Sequence, residues 1–549
     1  MKMLVTSILA LSTASAAFAQ WSSDPMNANI VAGTPNDEGV PLAVAAPNGE
    51  TWVSFAELNG GYKYSINRID ANGNNVFATP IVLSPNRTNT ATFTYDMTID
   101  PSGNAVVAFD DNGIYLQIVL PNGGKPLGSA GLLMPGSTGR FGPAVCALAD
   151  GSYVVSWASN VSGTITDILN FQRVNANGTL GAAWSITETG RNLAPSDIVP
   201  AGSGNEFIAM WVRAEGNFLS RKGLKIQKWD STNSQVWNGG VPVNVYTSQA
   251  TPAKSIQNGY LPALVSDGSN GAIVAWYDSG AARNAWLQHV LADGSFVFAA
   301  EGAAASNISS GTQFRLSAAV AYHPSTQEYT VAYERSNINQ SQFGLSAQRF
   351  SAEDGALWNS GAGIDLTPLG ANHTAGINVA ASPTGDAVVT YLAYSGSSGP
   401  HALNAIRLDN AGNQVWSPSP LTVSTDAGFK QRPALVKSTS GDWYVAGWTE
   451  GPTTTGSKNI YAMRINIDGT LGGPTGPVCD SIDFNNDTSL FDPQDIDAFL
   501  SVYGEGPCVP DTATCNDIDF NNDTSVFDPC DIDSFLTQFS EGPCTPCGV

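Results

Sequence analysis

"DAVVTYLAYSGSSGPHALNAIRLDNAGNQVW", residues 386–416, runs as an apolar strand, a small-residue loop, a second strand, a turn and an aromatic. The first strand closes on Tyr391, the second ends in the turn Asn410-Ala411-Gly412, and Trp416 follows. Tight hairpin turns need a positive backbone φ, which Asn and Gly supply, so stacked antiparallel strands are expected. The pattern recurs from about residue 35 to 474, its apolar strands reading ETWVSF, NAVVAF, SYVVSW, EFIAMW, GAIVAW, EYTVAY, DAVVTY and WYVAGW. Their closing aromatics are Phe55, Phe109, Trp157, Trp211, Trp276, Tyr333, Tyr391 and Trp448, at intervals of 54, 48, 54, 65, 57, 58 and 57 residues. Matching turns end at Gly73, Gly178, Gly294, Gly412 and Gly469, and aromatics such as Phe77, Trp184, Trp358 and Trp416 often follow.

Eight such units, each too small to bury its own face, most simply close into a ring as the blades of a β-propeller. The fold class expected is mainly β, a propeller of about eight blades followed by a small α-helical module. A seven-bladed ring with one divergent unit and an open β-solenoid are the alternatives. The runs such as AVVAF and IVAW are expected to be the buried inner strands.

Little chemistry shows in this body. His289, His323, His373 and His401 lack metal-ligand spacing and read as surface or turn residues. There is no GxSxG elbow, P-loop or GxGxxG motif. A glycosidase would need two carboxylates facing one cleft, which sequence cannot display. The repeated aromatics could stack on sugars, but aromatics closing apolar strands are more often core.

The tail differs. "IDFNNDTSLFDPQDIDAFL" at 482–500 returns as "IDFNNDTSVFDPCDIDSFL" at 518–536, and Cys479–Cys508 matches Cys515–Cys544 at 21 of 30 positions. Of the chain's 47 acidic residues, fifteen lie between Cys479 and Val549, where there is no Lys or Arg. The rest of the chain then sets 32 acids against 24 bases, so the tail holds most of the net charge of −23. Without a basic stripe nucleic-acid binding is disfavoured, and the concentrated carboxylates call for a cation.

Each copy opens with D-x-N-x-D: Asp483, Asn485, Asp487, and Asp519, Asn521, Asp523. Alternate oxygen side chains at this spacing present hard ligands to Ca²⁺ as in an EF-hand-type loop. Thr488 and Thr524 stand where the loop glycine belongs, and the later pairs, Asp492 with Asp495 and Asp528 with Asp531, come one residue late. Asp492-Pro493 and Asp528-Pro529 read as helix starts, N-cap then proline. Ile496, Phe499, Leu500 and Tyr503 follow at helical spacing, as do Ile532, Phe535, Leu536 and Phe539.

On these residues the tail resembles a dockerin, the duplicated calcium-loop-plus-helix module that binds cohesins, and especially the cysteine-flanked dockerin-like tails of exported bacterial proteins with "EGPC" endings. The resemblance implies two Ca²⁺ and ten ligands: Asp483, Asn485, Asp487, Asp492 and Asp495, then Asp519, Asn521, Asp523, Asp528 and Asp531. Symmetry suggests disulfides Cys479–Cys508 and Cys515–Cys544, leaving Cys530–Cys547, one of fifteen connectivities. Cys146 reads as a buried free thiol.

The organisation expected is a signal peptide over 1–19, cut after the small-residue site Ala17-Phe18-Ala19, a propeller over 20–474 and the calcium-binding module over 475–549. No stretch after the signal is apolar for long enough to span a bilayer. The chain is expected to be exported and secreted or held at a bacterial cell surface, its tail docking a binding or scaffold body onto a cohesin-like or other partner. A carbohydrate-active enzyme, glycoside hydrolase or lyase, and an adhesin are the alternatives, with a carbohydrate or protein as the body's ligand.

Overall fold

The structure is a computed structural model that describes residues 21–58, 61–83, 95–138, 140–280, 283–309, 311–395, 401–425, 428–452, 457–473, 480, 482–487, 493–504, 506–510, 515–520, 526–527 and 529–539. The chain divides into two compact units, Met1–Leu471 and Gly472–Val549. The expected signal segment lies outside the described residues. No helix among them is long and apolar enough to cross a membrane.

The larger unit is an eight-bladed β-propeller. Its innermost strands are Asp37–Ala45, Tyr95–Ile99, Phe141–Ala147, Leu193–Pro200, Ala263–Ser266, Gln313–His323, His373–Ala381 and Phe429–Lys437. Each packs against the next around a ring, and Asp37–Ala45 meets Phe429–Lys437 to close it. Seven blades run outward in chain order, but the eighth is completed by β1 (Asn29–Ala32), which pairs antiparallel with Asn459–Asn466. The two ends of the repeat region thus share one sheet.

The apolar runs stand second in each blade, one strand out from the axis, which corrects the expectation that they are innermost. Flanked by strands on both edges and by blades on both faces, they are the most fully covered segments. Their closing aromatics are between 0% and 4% exposed and form blade core.

Aromatics after the turns do another task. The indoles of Trp21, Trp237, Trp358 and Trp416 donate to the carbonyls of Ala71, Ala292, Asn410 and Ile467 in the following blade's turn, at 2.9–3.0 Å. Each ring lies on that turn's glycine: Gly73, Gly294, Gly412 and Gly469 hold φ of 86–95°, and a Cβ there would come within 2.7–3.2 Å of the indole. Phe77 packs likewise on Gly123. Trp184 instead stacks on Phe171 in its own blade at 5.5 Å.

Five inner strands break register at one repeated place, around Val40, Gly142, Ser317, Gly376 and Arg432, all left-handed with φ of 47–69°. Such bulges re-aim neighbouring side chains, and Val, Ser and Arg adopt this conformation only against steric cost. They lie near the rim at which second strands end and third strands begin.

The smaller unit holds α1 (Pro493–Tyr503) and α2 (Pro529–Phe539), beginning at the prolines as read from the sequence. Phe499 and Phe535 stack at 4.2 Å with 7° between planes, and Phe484 and Phe520 meet them edge-on. Leu500 and Leu536, expected in the buried stripe, are instead 51% and 49% exposed. Cys508 bonds to Cys515, which corrects the pairings Cys479–Cys508 and Cys515–Cys544. Their Cα atoms stand 5.7 Å apart, inside disulfide reach. Cys530 is also disulfide-bonded; Cys479, Cys544 and Cys547 lie outside the described residues.

The blade lock is testable by comparing glycines. Gly294→Ala adds a Cβ 2.8 Å from Trp237, whereas Gly128, at a similar φ, has nothing within 4 Å. Gly294→Ala should lose about 1–3 kcal/mol more than Gly128→Ala in chemical denaturation.

Candidate functional site

Of the ten expected calcium ligands, Asp492, Asn521, Asp523 and Asp528 lie outside the described residues. The others include two carboxylates, Asp495 and Asp531, that are entirely buried in the first turns of α1 and α2. Asp495 Oδ1 lies 3.5 Å from the backbone N–H of Asn485, tying the helix to the loop. The Asp487 N–H donates to Asp483 Oδ1 at 2.9 Å and to Asn485 Oδ1 at 3.0 Å. Asp483, Asn485, Asp487 and Asp495 are thereby drawn together. Asn486, the fourth residue counted from Asp483, is left-handed at φ 54°. No group of three or more His, Cys, Asp or Glu side chains among the described residues stands ready-made for a metal.

Three of the four histidines are buried, contrary to the surface or turn reading. His289 uses both ring nitrogens, with Asp267 Oδ2 at 2.9 Å and the Tyr329 hydroxyl at 2.6 Å. His323 lies against Thr330 and Arg349, and burial with the Arg349 charge pushes its pKa down to about 3. His289 thus joins the fifth blade to the sixth, whereas both partners of His323 lie in its own blade.

His401 and His373 are different, because they meet at the opposite rim. In the seventh blade His373, Tyr394 and His401 face one another across three adjacent strands. His373 and Tyr394 stack at 5.2 Å and 10°, and Tyr394 and His401 lie 4.3 Å apart. Phe343 of the sixth blade and Phe429 of the eighth extend the column at 3.8 and 4.4 Å. Against it lies a recess of about 400 Å³ that also touches Lys430, Gln431 and Arg432. His401 Nδ1 bonds the Lys430 carbonyl, while its Nε2 has no hydrogen-bond partner among the described residues. Sequence reading missed this row because its three members are spread over 29 residues.

Two carboxylates lie on inner strands near the axis. Asp96, in the second blade, accepts from the Val145 N–H of the third at 2.7 Å and from Met97 N–H at 2.8 Å. Asp197, in the fourth, accepts from Ile198 N–H at 2.7 Å. Desolvation pushes Asp96 up to about 6, and desolvation with the Asp96 charge holds Asp197 well above the usual carboxylate range. Cys146 between them is a free thiol, 1% exposed, whose pKa burial raises far out of the reactive range.

No family model matches the chain, and no curated protein matches it in sequence. Several solved structures resemble its backbone. A polysaccharide lyase of family PL25, an ulvan lyase bound to a GlcA(1-4)Rha3S unit, is 10% identical with a TM-score of 0.45, over 81% of this chain and 97% of that one. The BP39L lectin from Burkholderia pseudomallei is 14% identical with a TM-score of 0.40, over 73% of this chain and 99% of its own. Puromycin hydrolase is 13% identical with a TM-score of 0.40, over 80% and 62%. A lyase, a lectin and a hydrolase occur together here, so the likeness assigns no activity.

The Asp96 carboxyl carries a pH signature. Its ordinary pKa of 3.8 is raised to about 6 in the fold, so the native state favours the protonated form. That stabilisation is complete below about pH 4 and is lost as pH rises through about 6. Denaturation midpoints should therefore fall between about pH 4 and 7, and Asp96→Asn should flatten the fall.

Proposed function

We propose that the chain is an exported protein whose C-terminal unit is a calcium-stabilised, dockerin-like module, docking a ligand-binding propeller onto a surface or assembly. The observation that carries this reading is the complete burial of Asp495 and Asp531 in a unit without Lys or Arg. Buried carboxylates need compensation, and Asp483, Asn485 and Asp487 lie where a Ca²⁺ beside Asp495 would be ligated. Asp531 takes the same part in the second copy. A backbone carbonyl and the later aspartates would complete each shell.

The docking half of the reading is supported by Leu500 and Leu536. They occupy the same place on α1 and α2, and both are about half exposed although neighbouring apolar residues are buried. Val526 and Phe527, just before α2, are 57% and 45% exposed. Uncovered apolar side chains suit a protein partner, cohesin-like by the resemblance of the tail.

A second reading, a carbohydrate-active enzyme, is supported by Asp96 and Asp197. They are carboxylates of the second and fourth blades within electrostatic reach of each other, one of them poised near neutrality. Their bonds to backbone N–H groups also suit a purely structural staple, and activity separates the two.

Titration of the EDTA-treated full chain with Ca²⁺ should raise its helical circular dichroism, with a Kd of roughly 10⁻⁴ to 10⁻³ M. Asp495→Asn and Asp531→Asn should each remove part of that response; a chain indifferent to chelation refutes the calcium reading. For the enzyme reading, Asp96→Asn or Asp197→Asn should cut release of sugar ends from a polysaccharide substrate by about a hundredfold or more. Variants that turn over normally would leave the pair structural.

A further inference from the structure

One rim of the fourth blade carries apolar side chains that the fold leaves uncovered. The connection 215–221, between the second and third strands of that blade, sets Phe218 and Leu219 side by side at its tip, 56% and 75% exposed. Leu219 is the most exposed large apolar side chain among the described residues. The loop is fixed in this posture. The Ser220 N–H donates to the Asn217 carbonyl at 2.9 Å, and the Glu215 N–H to the Arg221 carbonyl at 2.8 Å. Lys222, 4% exposed, donates from its ammonium to the carbonyls of Phe218 and Ser220 and to Asn258 Oδ1, and lies 4.9 Å from the centre of the Phe218 ring. Desolvating a charge is costly. Here it holds two apolar side chains out in water rather than in the core.

Beside this projection lies a recess of about 360 Å³, walled by Ala158 of the third blade, Leu193, Val212 and Phe218 of the fourth, and Tyr260 and Leu261 at the entry to the fifth. Leu261 is 49% exposed at its mouth. Val161 and Ile165, 38% and 48% exposed, adjoin it: Val161 follows the lining residue Asn160, and the Ile165 carbonyl accepts from the lining residue Asn192 at 3.0 Å. Val161, Ile165, Phe218, Leu219 and Leu261 together expose on the order of 500 Å² of apolar surface, near the upper limit for the largest patch on a monomer.

Charge bears on what covers the patch. The chain carries −23, so two copies repel unless they meet where negative charge is balanced. Here Glu188 and Glu215 pair with Arg191, Arg213 and Lys225. Asp167 accepts from Asn160 at 2.9 Å and from the Leu193 N–H at 3.1 Å. Arg221 and Lys222 bring the local count to three carboxylates against five cations.

We infer that this rim is the contact between two copies of the chain related by a twofold axis, with Leu219 of each seated in the recess of the other. Projection and recess stand side by side on one surface, which is the self-complementarity a twofold contact requires. Two such faces would bury roughly 1,000 Å² from the five apolar side chains alone, the size at which a specific contact begins. The inference is independent of the calcium module and of the choice between binding body and enzyme.

Sedimentation velocity of the full chain at concentrations from about 0.5 to 200 μM should show the mean mass rising toward that of two chains, with a Kd of roughly 1–100 μM. Leu219→Asp would carry a carboxylate into an apolar recess and should weaken pairing about a hundredfold or more. Leu180→Asp, at an apolar residue 42% exposed on the opposite rim, should leave it unchanged. Leu261→Asp, on the recess wall, gives the same test should thermal melts show that Leu219→Asp has lost its fold. A single-chain mass at every concentration would overturn the inference. Pairing that survives both Leu219→Asp and Leu261→Asp places the contact elsewhere and overturns it too. So would single chains that float with phosphatidylcholine vesicles and cease to do so as Leu219→Asp, since the patch would then be a lipid-facing surface.

Discussion

The propeller depends on an aromatic ring set down on a glycine. Each indole that reaches the next blade's turn combines a hydrogen bond to a carbonyl with van der Waals contact at the one place where a side chain is absent. That coupling passes from blade to blade, and Trp21 applies it across the closure onto the turn of the first blade. Closure has a second part, since β1 fills the outer edge of the eighth sheet. A ring locked at both its turns and its seam leaves only short sheet edges, each covered by the neighbouring blades.

Polar side chains join blades at both rims. At one, polar side chains are consumed in joining blades: Tyr153 with Asp100, His289 between Asp267 and Tyr329, Arg349 with the Gly385 carbonyl, Arg407 with the Ile467 carbonyl. At the other, Tyr246 meets Asp278 at 2.8 Å, inner strands bulge at left-handed residues, and His401 Nε2 has no hydrogen-bond partner among the described residues. The Asp96 and Asp197 carboxyls lie between these regimes, bonded to backbone yet titrating far from the carboxylate norm.

The smaller unit solves a different problem. It has few residues with which to build a core, and four phenylalanines, Phe484, Phe499, Phe520 and Phe535, supply most of it. The Cys508–Cys515 bridge fixes the joint between the copies. Two buried aspartates in the first turns benefit from the helix termini, and the metal proposed for them would offset what remains of their desolvation.

The sequence by itself determined the repeat of about eight strand units, the identity of the core aromatics and the starts of both helices, because each is written in local terms. A strand is an apolar run with a closing ring, a turn is an Asn-Gly or Asp-Gly, and a helix start is Asp-Pro. The tertiary structure alone decided what is set by partners distant in the chain. It placed the apolar runs second rather than innermost, since only pairing shows which strand faces the axis. It joined Cys508 to Cys515 against the symmetric expectation, because a bridge follows the distance between Cα atoms and not the similarity of the copies. It buried three histidines that looked solvated, and it drew His373, Tyr394 and His401 into one row. Their alignment comes from antiparallel register across three strands, a lateral relation that no spacing along the chain expresses.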